Sequence, residues 1–273
     1  MNKNLTVRLL ILGAFLAAGL LPAGFPVQAW GQETQQPQVV KGKIYQENYP
    51  LISETDLYCS FAVQDGPLPD LKVIGAERQE EREILGDGDV VYINGGQNQG
   101  VAPDQVYIFL SKGDDIKSPR TGKNYGPLIR KLGRGRVISV EADRAVLRIE
   151  KACSPVRLGA YAVLFTEIPT VTGKTMDYVP YSAPAGEKTT GEIIYLDGEL
   201  NQIGPGNWAI IDLGAEEGLQ VGNQITVSMV HSKGAPTHTV GTAVVISAQP
   251  HTATIKIVKA QDAIRLGYEV TAQ

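Results

Sequence analysis

Cys59 and Cys153 are the chain's two cysteines. In an exported protein an isolated even pair reads as a disulfide, the alternative being two buried, unpaired thiols. A redox or metal role fits them poorly: there is no C-x-x-C, and the first half of the chain holds no histidine. His231, His238 and His251 fall late in the sequence, at spacings that do not put two on one face of a helix. Gly173-Lys174-Thr175 imitates the end of a phosphate-binding loop, but Ile168 stands where that motif needs its first glycine. Asp87-Gly88-Asp89 lacks the further ligands of a calcium loop and reads as a turn. There is no G-x-S-x-G, and no pair of carboxylates marks itself out as general acid and base. The expectation is a protein without catalytic residues, metal or cofactor.

One charge pattern could recognise a partner. Between residues 112 and 136 the chain carries Lys112, Lys117, Arg120, Lys123, Arg130, Lys131, Arg134 and Arg136, opposed only by Asp114 and Asp115. We take Lys117, Arg120, Lys123, Arg130, Lys131 and Arg134 as a candidate recognition loop for an anionic partner: a wall polymer, lipid head groups or an acidic protein. The alternative is a solvated face balanced by the acidic stretch from Glu77 to Asp89. Nucleic acid is a poor partner, because the net charge is -4 and a single aromatic, Tyr125, falls among the basic residues.

The elements that must position these residues occur twice. Gly88 to Phe109 aligns without a gap on Gly206 to Val227, matching Gly96 to Gly214, Gly100 to Gly218 and Val101 to Leu219. Each copy is an apolar run, a glycine-punctuated loop and a second apolar run, the pattern of two strands and a tight connection. Gly133 to Gly159 then aligns on Gly241 to Gly267, sharing V-I-S and a closing R-L-G. The first copy is longer by about ten residues, a length change that surface loops tolerate. The extra residues lie between Leu110 and Leu132, most clearly at Ser118 to Gly126, inside the basic segment. This turn is either the recognition element or a packing element against the second copy or the N-terminal segment.

Alternation supports strands throughout. Ala145, Leu147 and Ile149 form one apolar face, as do Ala253, Ile255 and Ile257, and Ile225, Val227 and Met229. The expected core includes Tyr107, Leu147 and Ile149 in one copy and Ile225, Ile255 and Ile257 in the other. Tyr58 to Val63 reads as a strand, Asp65 to Asp70 as a turn, and Glu77 to Asp89 as a solvated loop in preference to a short helix. Lys72 to Gly75 reads as a strand matching Gly191 to Ile194.

Residues 1–29 read as a secretory signal peptide. Lys3 and Arg8 precede the uncharged run Leu9 to Leu21, and Val27-Gln28-Ala29 supplies a cleavage site after Ala29. An uncleaved anchor is the alternative, but the run is short against the roughly 20 residues a spanning helix needs. After cleavage no integral membrane segment is expected, and the protein is placed in the periplasm or outside the cell. Residues 30–40 form a Gln-rich disordered leader, 41–168 a first β domain, 169–187 a Pro-rich linker and 188–273 a second β domain. The fold class is all-β: two tandem, duplicated, small barrel-like domains.

The run V-V-Y-I-N-G-G-Q-N-Q-G-V, then S-P-R-T-G-K-N-Y-G, the V-I-S strand and R-L-G resembles the C-terminal domain of flagellar assembly protein T. Similar domains occur in Gram-negative envelope proteins, some carrying LysM peptidoglycan-binding modules. Tyr92, Ile93, Asn94, Gly100, Val101, Pro119, Thr121, Gly122 and Gly126 carry the resemblance. Asp104 departs from it, standing where a glycine is expected; so do Ser118, Ala160 and Tyr268, each in an aspartate's place. The resemblance implies a small β-barrel-like domain serving in assembly or attachment, and it implies no catalytic residue. The chain therefore reads as an exported, non-enzymatic envelope protein, a binding or scaffold module partnered by an envelope protein or a cell-wall polymer. The alternatives are a binder of anionic wall glycan through the basic loop, and a wall hydrolase.

Overall fold

A computed structural model describes residues 52–78, 80, 83–167, 189–198, 200–229 and 237–273. The chain divides into Met1–Gln46 and Glu47–Gln273, and every described residue belongs to the second unit. The signal peptide, the leader, the linker at 169–187 and His231 lie outside the described residues.

Chain order is α1 (Glu54–Cys59), β1 (Phe61–Val63), β2 (Val73–Ala76), β3 (Val90–Ile93), β4 (Val106–Lys117), β5 (Asn124–Val140), β6 (Ala145–Ala152) and β7 (Tyr161–Leu164). The second copy supplies β8 (Thr190–Leu196), β9 (Trp208–Ile211), β10 (Gln224–Met229), β11 (His238–Ala248), β12 (Ala253–Ala260) and β13 (Glu269–Ala272). The first sheet runs β2-β3-β6-β5-β4-β7, with β1 added on β5, and the second closes as a barrel in the order β10-β11-β12-β9-β8-β13. All pairings are antiparallel. The all-β reading holds.

Strand for strand the two copies correspond. The bridge Leu85–Val156 recurs as Ile203–Ile264. The backbone bond from Gly88 to Ile149 recurs as Gly206 to Ile257. Gly96 and Gly214 are glycines for lack of room: a Cβ would lie 2.2 Å from the Glu141 carbonyl oxygen in one and 2.3 Å from that of Gln249 in the other. The position equivalent to Gly222, which has a φ of 93°, is Asp104, whose φ of 66° is the one positive value among described non-glycine residues.

Two details differ from the sequence reading. Tyr58 to Val63 is not one strand: α1 runs to Cys59 and the strand begins at Phe61. Ser53 caps the helix, its Oγ accepting from the Asp56 N–H while Asp56 accepts from the Ser53 N–H, a reciprocal box that sets the first turn. The match of β2 to β8 is also one residue out. Val73 pairs with Ile93 as Ile193 pairs with Ile211, so Ile74 corresponds to Ile194 and Lys72 to Glu192.

The copies also close differently. The ladder between β13 and β8 holds three residue pairs, from Glu269–Glu192 to Thr271–Thr190. Between β7 and β2 the contact is the bridge Lys72–Tyr161 with the backbone bonds Gly159 to Val73, Val73 to Ala160 and Ala162 to Leu71. Pro67 and Pro69, which lack N–H donors and fix φ, stand just where a longer ladder would continue.

Each copy fills its own interior. Tyr107, Leu147 and Ile149 are buried in the first core, with Phe109, Val91 and Ile93. Ile225, Ile255 and Ile257 are buried in the second, with Val227, Val245 and Ile211.

Candidate functional site

The apolar and charged groups that exceed the needs of two separate cores converge where α1, β1 and the β4–β5 hairpin meet the barrel. Ile52 and Leu57 pack on Val244 and Ile246, which face outward from the barrel. Phe61, Val63, Ile116 and Leu128 pack on Ile194 and Ile210. The Phe61 ring meets Tyr195 and Trp208 edge-on, with centroids 5.1 and 6.0 Å apart. The same short segment joins the first sheet: β1 pairs with β5 from Phe61–Arg130 to Val63–Leu128. It is a wedge with one side in each repeat.

Polar groups lock the wedge in place. Asp56 is buried and accepts from Lys256 Nζ at 2.6 Å, Trp208 Nε1 at 2.8 Å and Ser53 Oγ at 2.6 Å. Burial pushes the Asp56 carboxyl up, but the bonds from Lys256, Ser53 and Trp208 outweigh it and hold the group below its ordinary value. Thr254 Oγ1 donates to the Phe61 carbonyl at 2.7 Å. Cys59 is bonded to Cys153 with Cα atoms 5.4 Å apart, tying the end of α1 to the residue after β6.

The candidate recognition residues divide between this interface and solvent. Ser118 Oγ and Arg120 Nε, the latter at 3.2 Å, both donate to the buried carboxylate of Glu192 on β8. Arg130 reaches Asp197 at 3.4 Å and the Tyr195 hydroxyl at 2.6 Å. Lys131 Nζ donates to the Leu57 carbonyl at 2.6 Å and lies 3.4 Å from Ser60 Oγ; burial pushes its pKa down to about 8. Arg134 pairs with Glu54 at 3.1 Å. Lys117 is exposed, as is Lys123, whose ammonium lies 4.6 Å from the Tyr125 ring centroid. Tyr125 in turn donates to Asp212 at 3.3 Å, and burial with the Asp212 charge raises its pKa to about 12. The structure thus gathers Arg120, Arg130, Lys131 and Arg134 along the two flanks of the hairpin and wedge, and leaves Lys117 and Lys123 open.

The hairpin reaches the barrel because it is long and bent. Its two strands extend beyond the first sheet, and the ladder shifts register after Phe109, Lys112 and Ile116. The turn at its tip is closed by Ser118 Oγ accepting from the Arg120 and Thr121 N–H groups, and by the Ser118 N–H donating to the Lys123 carbonyl. Ser118 therefore both closes the turn and supplies the tie to Glu192. A depression of about 650 Å³ beside the hairpin is lined by Lys112, Arg157, Leu158 and Tyr161 among others, none of them a carboxylate or histidine. Among the described residues no group of three His, Cys, Asp or Glu side chains could hold a metal ion.

No family model matches the chain, and no curated protein does. Among solved structures it is similar to MreC from Listeria monocytogenes, at 14% identity over 78% of each chain and a TM-score of 0.17.

Sequence reasoning missed the wedge. Ser53-Glu54-Thr55-Asp56 carries the signal of a helix start, and Ile194, Ile210, Val244 and Ile246 carry that of strands apolar on both faces. Trp208 and Lys256 gave no hint of sharing Asp56, since the three residues are distant in sequence.

Proposed function

We propose that this chain is an exported, non-enzymatic protein of the bacterial cell envelope, in which two repeated β units act as one rigid binding or scaffold module. The observation that carries the reading is the wedge. A duplicated domain needs no Phe61, Asp56 or extended hairpin to complete its core, yet these groups join the repeats through buried apolar and ionic contacts. Such contacts fix the spacing and orientation of two similar surfaces, which is what a scaffold requires. The Cys59–Cys153 bridge supports export, because disulfides form and persist in oxidising compartments. Among the described residues no helix is long and apolar enough to cross a membrane. The motif resemblance to the C-terminal domain of flagellar assembly protein T supports an assembly or attachment role on its residues alone.

The test is fractionation of the tagged full chain, with incubation of the purified protein on isolated wall material. The expected result is oxidised protein in the periplasmic or envelope fraction, with no soluble fragments released from the wall. Cytosolic protein, or fragment release lost on a single substitution, contradicts the reading. The exposed Lys117 and Lys123 favour one second reading, direct binding of an anionic wall glycan. Charge reversal at those two positions should then abolish sedimentation with wall material.

A further inference from the structure

The duplication places on the first sheet the same outward strip that the wedge and hairpin cover on the barrel. On the barrel the strip is Ile194, Ile210, Thr254 and Ile246, neighbours across β8, β9, β12 and β11: Tyr195 pairs with Ile210, Ile210 with Thr254, and Ile246 sits in the register shift beside Thr254. All four are buried. On the first sheet the equivalents are Ile74, Tyr92, Val146 and Ile138, with the same pairings: Gly75 to Tyr92, Tyr92 to Val146, and Ile138 in the shift beside Val146. Here Ile74 is 51% exposed and Ile138 49%, against 4% for Ile194 and 1% for Ile246. Two isoleucines thus stand open at positions that are buried in the twin.

The charges name the occupant's chemistry. Lys256, beside the covered strip, takes Asp56 of the wedge; its equivalent is Arg148, exposed and without a carboxylate among the described residues. Glu192 takes the basic hairpin turn; its equivalent is Lys72, so that contact is reversed in sign. An occupant must therefore bring apolar side chains for Ile74 and Ile138 and carboxylates for both Arg148 and Lys72. The chain's own wedge and hairpin are already engaged on the barrel. We infer that the strip Ile74–Tyr92–Val146–Ile138 is a docking face for an acidic, apolar segment of a partner protein, seated as the wedge is seated on the barrel. The inference deepens the scaffold reading by naming the face a partner uses.

The probe is a synthetic peptide of residues 52–63 with Cys59→Ser, which carries Leu57, Phe61, Glu54 and Asp56. It is titrated into the isotopically labelled, oxidised chain beginning at Trp30, and amide shifts are followed by NMR. The expected result is shifts centred on Ile74, Tyr92, Val146 and Ile138. Affinity should fall about tenfold or more with Ile138→Asp, and likewise with Arg148→Glu, while both variants keep the parent's circular dichroism. A peptide carrying Glu54→Lys and Asp56→Lys should bind correspondingly weakly. No shifts on the strip overturns the inference, as do shifts confined to Ile194 and Ile246, which report exchange with the chain's own wedge. Dimerisation of the parent that Ile138→Asp abolishes makes a second copy the occupant, and binding seen only after removal of residues before Ile52 makes those residues the cover; either overturns a partner. Failure of the peptide leaves envelope location and the joined repeats standing, since neither is read by this titration.

Discussion

Replacing Asp56 with alanine tests the wedge at its most connected point. The carboxylate accepts hydrogen bonds from Lys256, Trp208 and Ser53, and is 3% exposed. Its removal leaves the Lys256 ammonium, 21% exposed, without a counter-ion, and the Trp208 N–H without an acceptor. Breaking a buried ion pair from one side costs about 3–5 kcal/mol, and losing the helix-capping interaction adds about 1 kcal/mol. Lys256 keeps some access to water, so the total should fall near 3–4 kcal/mol. Asp56→Asn keeps one acceptor oxygen and should cost about 2 kcal/mol. The assay is urea denaturation of oxidised protein, followed by the fluorescence of Trp208 and by circular dichroism. Adding Lys256→Met to Asp56→Ala should recover about 2 kcal/mol, because it removes the stranded charge. A loss below about 0.5 kcal/mol for Asp56→Ala, or strict additivity in the double variant, refutes the reasoning.

Lys131 binds fewer protons in the folded chain than in the unfolded one between pH 8 and 10.5, because burial lowers its pKa to about 8. Its contribution to stability is therefore complete above pH 10.5 and is lost as pH falls through 8; Lys131→Met should flatten that rise, worth at most about 3 kcal/mol, in denaturation curves across this range. Asp104→Gly should raise stability by up to about 1 kcal/mol, since a left-handed residue without a Cβ is unstrained, and a fall in melting temperature contradicts this. Reducing Cys59–Cys153, which closes a loop of 94 residues, should cost about 2–4 kcal/mol and first loosen α1, read by amide exchange at Leu57 and Tyr58.

The repeat was legible because period-2 alternation and glycine placement are local signals. Tyr107, Leu147 and Ile149 sit in one core and Ile225, Ile255 and Ile257 in the other, as alternation requires. The Cys59–Cys153 bridge followed from compartment and parity, although Cys59 ends a helix. The β2 register was misread because Gly75 corresponds to Tyr195 rather than to a glycine, and the loop to Leu85 differs by two residues between copies. The wedge was not legible, because a six-residue helix has too few turns to show a period and its partners Trp208 and Lys256 come from the other repeat. Charge runs do not disclose their counter-ions: Arg120, Arg130 and Arg134 find Glu192, Asp197 and Glu54, each from outside the hairpin.

The central claim is that the wedge makes one rigid body of the two repeats. Nitroxide labels carried on unnatural amino acids at Gln97 and Ala215, exposed and equivalent in the loops of the two copies, report it directly by pulsed electron spin resonance. The account predicts one narrow distance distribution in the oxidised chain, broadened by Asp56→Ala. A broad or multi-peaked distribution in the unmodified, oxidised chain contradicts it.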